Sequence, residues 1–257
     1  MLALASVARV PDHDASAAAP PLPRFVRRLF SLSGVGPLAV FLVLHAITNF
    51  RAVRGESAFL ATVRLYERIP ALPLIEALFV FAPLAVHAAL GLWSVAARRP
   101  LHEASPYSGG VRVAMRATGV LVGIFLAMHL TELRFRVPGV RPSGGELLTV
   151  LASDLSATSH GVPWRGIAYL LGTGCATFHL SVGLWGFFAT TAAGSMARKR
   201  KWAIYCLAAI GAVLWLTFAN VVVLHATGAR LFGSPEPWTS PAETIEREPC
   251  PAASGGP

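Results

Sequence analysis

The chain has 257 residues, of which 54% are hydrophobic and 14% are charged, and its formal net charge is +9. This composition is too apolar for an ordinary soluble domain and indicates a membrane protein. The positive charge does not indicate a nucleic-acid partner, because the arginines lie at the ends of apolar segments, where basic residues orient a chain and meet lipid headgroups.

In chain order, residues 1–23 are rich in alanine and proline and are predicted to form a flexible arm. Five apolar stretches follow, each long enough for the roughly 20 residues with which a helix crosses a hydrocarbon core. They cover about residues 29–50, 74–97, 113–133, 165–190 and 202–225. Residues 229–257, rich in proline, glutamate and serine, are predicted to be a loosely ordered tail. The sequence therefore predicts an all-α membrane protein with one five-helix domain over residues 24–228.

The connections predict how the five spans are arranged. The first outer loop, about residues 51–73, is short, and the second, about residues 134–164, is longer. The two inner connections are brief, so consecutive spans should be antiparallel neighbours in an up-down bundle. Basic runs nearly free of acidic residues flank the brief connections, as at residues 98–99 and 198–201. Positive loops tend to stay in the cytoplasm. We therefore expect a cytoplasmic N-terminus and a C-terminus outside.

Four of the apolar stretches contain a histidine, and the flanking residues match in two pairs. The pattern F-L-x-x-H ends at His45 and again at His129, whereas H-x-x-x-G-L-W begins at His87 and again at His179. A Ser/Thr-Gly-Val triplet also precedes both F-L-x-x-H histidines. The first two spans thus resemble the third and fourth, which predicts an internal two-helix repeat.

Depth along the spans predicts the same pairing. His45 and His129, the outer pair, fall in the last third of spans that run outward. His87 and His179, the inner pair, lie past the midpoint of spans that run inward. At a rise of about 1.5 Å per residue, the inner pair should lie roughly 10–15 Å closer to the cytoplasm. A single buried histidine can simply bond a carbonyl across a helix interface, but four in matched pairs indicate a functional site.

Two imidazoles per centre on facing helices favour haem, a planar macrocycle with one ligand above and one below. Catalytic zinc usually gathers three protein ligands at one depth, and no HExxH motif occurs. The three cysteines form no CxxC or CxxCH pattern, which excludes iron–sulfur ligation and covalently attached haem. We predict two b haems, one held by the outer pair and one by the inner pair.

Two further groups of residues are predicted from position alone. Haem propionates need donors near water or headgroups, and three residues at cytoplasmic span ends suit the inner haem: Arg28, Ser31 and Arg116. A carboxylate near the outer haem can exchange protons with a quinol, and three lie at outer span ends: Glu67, Glu76 and Glu132. The three propionate candidates fit ordinary residues of the membrane boundary at least as well, and a solvated loop carboxylate is the more common identity for the three glutamates.

Several of these motifs together resemble one family. They are residues 27–32 (RRLFSL), 41–45 (FLVLH), 83–88 (PLAVHA), 116–119 (RATG), 129–134 (HLTELR) and 178–185 (FHLSVGLW). They are similar to the five-helix, dihaem cytochrome b subunit of succinate dehydrogenase and fumarate reductase, of the type that works with menaquinone in bacteria. The similarity covers about residues 24–225 and includes four ligand positions in order.

The resemblance implies an anchor subunit of the bacterial cytoplasmic membrane, without dicarboxylate chemistry of its own. It would dock an iron–sulfur subunit, which takes electrons from a flavoprotein that interconverts succinate and fumarate. The family's four haem ligands match the outer and inner pairs, and its quinone site lies near the outer haem. Glu67 would correspond to an acidic residue of the first outer loop in some members. Thr177 replaces a glutamate that some members carry.

Two other functions stay open from the sequence. Dihaem quinone-reactive subunits of other respiratory enzymes, such as nitrate reductase or formate dehydrogenase, generally depart from one ligand on each of four successive spans. A proton-coupled transporter could use four histidines as a relay. No motif encodes the direction of electron flow, the haem potentials, the coupling to membrane potential or the oligomeric state.

Overall fold

The computed structural model describes residues 23–97, 109–135, 144–191 and 197–233. Within these ranges the chain is helical, and the only β-type pairing is an isolated bridge between Ser159 and Val162. The helices, in chain order, are α1 (Arg24–Ala52), α2 (Glu56–Glu67), α3 (Leu72–Ala96), α4 (Gly109–Arg134), α5 (Gly144–Ser156), α6 (Trp164–Thr191) and α7 (Ala197–Thr227).

Five of these helices, α1, α3, α4, α6 and α7, are long and apolar enough to cross a membrane. They coincide with the five stretches predicted from the sequence, so the all-α membrane architecture is confirmed. Large apolar side chains such as Val40, Ile124 and Val213 are at least 60% exposed on their outward faces. Exposing such a surface to water is unfavourable, whereas lipid acyl chains solvate it. A helix also satisfies its own backbone hydrogen bonds in lipid.

Three of the spans contain a π-helical turn in the described part of the chain. These turns are Gly34–Leu38 in α1, Ala77–Phe81 in α3 and Leu130–Arg134 in α4. The turn in α1 contains Pro37, and the turn in α3 ends two residues before Pro83. Proline has no N–H to donate to the preceding turn, and the wider π turn accommodates the missing bond. The turn in α4 begins directly after His129.

The two outer connections were predicted as loops, but each contains a helix, α2 after the first span and α5 after the third. Phe59 of α2 and Leu148 of α5 form a buried cluster with Ala52 at the end of α1. Leu151 and Leu155 of α5 pack against α6 and α7. The two helices therefore cover one end of the bundle, the end at which the outer pair lies.

The spans pack around α6 and α7. Helix α7 packs against α6, α5 and the second half of α1, and α4 packs against α6. The first half of α1 packs against α3, and its π turn touches both α3 and α6. Helices of the two repeats are therefore interleaved, which allows a side chain of one repeat to meet a partner from the other.

The predicted C-terminal tail is described only at residues 229–233, and the predicted N-terminal arm only at Pro23. Asn220 of α7 is fully buried and binds the returning chain. Its Oδ1 accepts hydrogen bonds from the backbone N–H groups of Leu231 (2.7 Å) and Phe232 (3.2 Å). Its Nδ2 donates to the Phe232 carbonyl at 2.7 Å. The Phe232 ring then stacks on Phe50, which ties the segment to α1.

Candidate functional site

The structure brings the four membrane histidines together in two pairs. The ring centroids of His45 and His129 are 5.9 Å apart, and the ring planes meet at 84°. Those of His87 and His179 are 6.2 Å apart, and their planes meet at 86°. The outer pair joins α1 to α4, and the inner pair joins α3 to α6. Each pair thus combines one histidine from each repeat, as the sequence pattern predicts.

Both separations match the geometry of two axial ligands. A metal–imidazole nitrogen bond is about 2 Å long, so two nitrogens on opposite sides of one ion are roughly 4 Å apart and their ring centres roughly 6 Å apart. The described residues contain no group of three or more histidine, cysteine, aspartate or glutamate side chains arranged for a metal ion. Two imidazoles per centre are a donor set that fits a macrocycle, which would supply the remaining ligands.

The two pairs lie at different heights in the bundle. Gly34, which touches the inner pair, precedes His45 on α1 by eleven residues, and Gly119, which also touches it, precedes His129 on α4 by ten. At about 1.5 Å per residue, the inner pair lies roughly 15 Å from the outer pair along the helices.

Hydrogen bonds orient the inner imidazoles. His87 donates from Nδ1 to the Phe30 carbonyl at 3.1 Å, and the Phe30 ring stacks on its imidazole with centroids 4.5 Å apart. The Nδ1 atom of His179 lies 3.3 Å from the Thr118 hydroxyl, which in turn donates to the carbonyl of Ala114. With Nδ1 carrying the proton, Nε2 keeps its lone pair on the far side of each ring. A partner on one ring nitrogen, leaving the other for the metal, is the usual arrangement at histidine–metal sites.

Two glycines provide the space in which the inner imidazoles lie. A Cβ atom on Gly34 would lie 2.5 Å from Cε1 and 2.7 Å from Nδ1 of His87. A Cβ atom on Gly119 would lie 3.1 Å from Cε1 of His179. The two glycines are the central residues of the repeated Ser/Thr-Gly-Val triplets. The sequence repeat therefore appears in three dimensions as a repeated contact between a glycine of one span and a histidine of the next.

Aromatic rings surround the outer pair. Phe41 and Phe218 pack against His45, and Phe125 and Tyr169 pack against His129, all with centroids 5.3 to 5.9 Å apart. Among the described residues, the buried Nδ1 atom of His129 has no hydrogen-bond partner. The outer pair is thus held mainly by ring packing, whereas the inner pair is held by hydrogen bonds as well.

Of the predicted propionate partners, Arg28 and Arg116 are exposed and Ser31 is half-buried. None of them takes part in the contacts to the inner pair described above, so their role stays a prediction. Ser33, two residues after Ser31, is buried and donates to the Phe30 carbonyl at 2.9 Å. That carbonyl also accepts from His87, so Ser33 supports the inner pair at a position that the sequence did not single out.

The three predicted quinone-site carboxylates do not form one cluster. Glu67 is exposed at the end of α2. Glu76 forms an ion pair with Arg134 at 3.1 Å, which joins the outer ends of α3 and α4. Thr177, at the position where some family members have a glutamate, is buried and donates to the Thr173 carbonyl of its own helix. It provides no carboxylate there.

Glu132 lies in a polar network beside the outer pair. It accepts a hydrogen bond at Oε2 from the Tyr169 hydroxyl at 3.2 Å, and the Tyr169 ring packs edge-on against His129. Arg165 lies 3.7 Å from Oε1 of Glu132 and 2.8 Å from Oδ1 of Asp154. Sequence reasoning missed Tyr169, Arg165 and Asp154. The available signal was the spacing of Arg165 and Tyr169, which places two polar residues on one face at the start of α6.

Comparison with known proteins supports the same family. The chain is similar to a protein named succinate dehydrogenase cytochrome b558 subunit from Bacillus subtilis (strain 168), with 28% identity over 182 residues. The match covers 70% of this chain and 86% of that protein. No family model matches the chain, and no solved structure matches it significantly. The resemblance inferred from the motifs is therefore confirmed by a comparison along most of the sequence.

Proposed function

We propose that this chain is the membrane-anchor cytochrome b subunit of a succinate dehydrogenase or fumarate reductase complex. The similarity to the Bacillus subtilis subunit and the five spanning helices support a multi-pass cytochrome b subunit. The observation that carries the proposal is the pairing of four membrane histidines at two heights, with ring separations that would leave room for one metal ion between the imidazoles of each pair.

The outer and inner pairs would each hold one b haem, whose iron supplies one-electron transfer. At the inner pair, the Phe30 carbonyl and the Thr118 hydroxyl keep the proton on Nδ1 of each imidazole. Gly34 and Gly119 admit the two rings. At the outer pair, packed aromatic rings orient the imidazoles and exclude water. The chain's contribution is thus to fix two ligand pairs at separate depths.

The proposed partners follow from this arrangement. On the cytoplasmic side an iron–sulfur subunit would exchange electrons with the inner haem, and a flavoprotein subunit would interconvert succinate and fumarate. Near the outer haem the chain would react with a quinone, menaquinone in the family that it resembles. The proposed location is the bacterial cytoplasmic membrane, with the N-terminus in the cytoplasm and the C-terminus outside. The free energy of an electron that crosses the whole membrane changes by about 2.3 kcal/mol for each 100 mV of membrane potential.

Purification with the native partners followed by haem counting tests the proposal. We expect two haems per chain and low-spin b-type bands in the reduced-minus-oxidised spectrum. His87→Ala should retain only the outer haem, and His45→Ala only the inner one. His160→Asn is the matched control, because His160 is an exposed loop residue at positive φ, a conformation that asparagine tolerates. Two haems bound to the His87→Ala variant, or none bound to the folded native complex, would overturn the assignment.

A further inference from the structure

The polar network at the outer end connects the surroundings of the outer pair to the surface. Tyr169, which packs against His129, is 5% exposed, and the Glu132 and Asp154 side chains are 20% and 13% exposed. Arg165, which lies between the two carboxylates, is 45% exposed. Contacts thus run from a buried aromatic ring, through a largely buried carboxylate, to a guanidinium at the boundary. Helices α4, α5 and α6 each contribute to this network.

The proposed reaction needs a proton acceptor at this end. When a quinol becomes a quinone, it loses two electrons and two protons, and aromatic rings around the outer pair cannot accept a proton at neutral pH. Glu132 is one hydrogen bond away from a ring that touches His129. It is therefore the carboxylate that the described contacts connect most directly to the outer pair.

The other two predicted carboxylates are placed less favourably. Glu67 is exposed at the end of α2, whereas Glu132 is largely buried and bonded to a tyrosine whose ring touches His129. Glu76 is paired with Arg134 at 3.1 Å, and this contact joins α3 to α4 and not to a ring of the outer pair. The resemblance assigns the acidic role to Glu67, whereas the contacts in this chain favour Glu132.

We propose that Glu132 is the proton acceptor for a quinol bound beside the outer pair, an inference that rests on the proposed function. As the quinol is oxidised, its O–H bond breaks, the proton passes to the Glu132 carboxylate, and the electrons pass to the one-electron carriers of the complex. Glu132 then releases this proton to the outer aqueous phase and accepts the second. The net reaction is quinol to quinone, two protons and two electrons.

Tyr169, Arg165 and Asp154 are positioning residues in this proposal. The Tyr169 hydroxyl holds Oε2 of Glu132 beside the outer pair. The Arg165 guanidinium pairs with both carboxylates but lies closer to Asp154 than to Glu132. When Glu132 is neutral, Asp154 keeps the guanidinium in place, and when Glu132 is charged the guanidinium is near enough to stabilise it. Helix α5 would thus serve the outer site through Asp154.

The test uses the purified complex with its partner subunits, a naphthoquinol with a short side chain as electron donor, and fumarate, reduced to succinate at the flavoprotein subunit, as terminal electron acceptor. Glu132→Gln should lower kcat for naphthoquinol oxidation by about 100-fold, the lower range for a lost general base, with KM changed less than threefold. Glu132→Asp should recover part of the rate. A purely structural role would not produce that combination.

Controls separate this inference from the proposed function. Glu56→Gln removes another carboxylate of the outer connection, at the start of α2, and should leave kcat within twofold of native. Haem content and succinate oxidation with an artificial dye should be native in Glu132→Gln. Native naphthoquinol kinetics in Glu132→Gln would overturn the role of Glu132. A fall in kcat in Glu67→Gln, with native kcat in Glu132→Gln, would assign the role to Glu67 of α2 instead. Absence of haem from the native complex would overturn the proposed function itself.

Discussion

Replacement of Gly34 by alanine should selectively weaken the inner haem. The new Cβ atom would lie 2.5 Å from Cε1 and 2.7 Å from Nδ1 of His87. Carbon atoms in favourable contact are about 3.5–4.0 Å apart, so the imidazole must move by roughly 1 Å. That movement also disturbs the hydrogen bond from His87 to the Phe30 carbonyl, which is 3.1 Å long.

The expected magnitude follows from these two effects. Overpacking a close contact costs about 1–3 kcal/mol, and losing a hydrogen bond costs about 0.5–1.5 kcal/mol. Together they amount to about 1.5–4.5 kcal/mol, which corresponds to a roughly 10- to 2000-fold weaker affinity for the inner haem. Gly119→Ala should have a smaller effect, because its Cβ atom would lie 3.1 Å from His179.

The assay is the number of haems per purified chain, together with the reduced-minus-oxidised spectrum. Gly36→Ala is the matched control, since Gly36 lies in the same π turn and a Cβ atom there meets nothing within 4 Å. We expect two haems in Gly36→Ala, and in Gly34→Ala one haem with the spectrum of the outer site. Native haem content and affinity in Gly34→Ala would refute the inference that His87 binds haem in the position described.

Three further predictions concern other contacts. Thr118→Val should weaken the inner haem by about tenfold and shift its midpoint potential, because Nδ1 of His179 loses its hydroxyl partner. Asn220→Ala should destabilise the bundle by about 1–3 kcal/mol in thermal or denaturant unfolding, because buried backbone groups lose their partners. It should also speed proteolysis at residues 229–233. An alkaline phosphatase fused to the C-terminus should be active, because this end is expected outside the cytoplasm.

Each of these three has a matched comparison. Thr118→Ser keeps the hydroxyl and should keep the native potential, and a native potential in Thr118→Val would show that the hydroxyl does not tune the site. Thr217→Ala removes a hydroxyl that, among the described residues, bonds within α7 to the Val213 carbonyl, and this change should leave proteolysis unchanged. If Asn220→Ala is as resistant as Thr217→Ala, the returning segment is held by other contacts. If a phosphatase fused to the N-terminus is active and one fused to the C-terminus is not, the predicted orientation is wrong.

The membrane class and the five spans could be predicted from the sequence, because a bilayer core imposes a local requirement of about 20 apolar residues on each helix. The four histidines could also be found and paired in advance. Their F-L-x-x-H and H-x-x-x-G-L-W contexts repeat along the chain, and duplicated segments that cross in the same direction place equivalent residues at equal depth. Local pattern and symmetry were sufficient for both.

Helices α2 and α5 were missed for a physical reason. A helix of 12 or 13 residues is marginal alone and is stabilised mainly by tertiary packing. That packing, through Phe59 and Leu148, depends on where the ends of the spans lie in space. Proline and glycine near these segments indicated loops, and the contacts with the spans decided otherwise.

By itself, the sequence determined which segments cross the membrane and which histidines belong together, because hydropathy and internal repetition can be read along the chain without its fold. The tertiary structure alone decided what those histidines touch. Gly34 and Gly119 against the inner rings, Glu132 between Tyr169 and Arg165, and Asn220 on the returning chain each join residues from separate segments. Such contacts depend on the rotation and crossing of packed helices, which no single segment encodes.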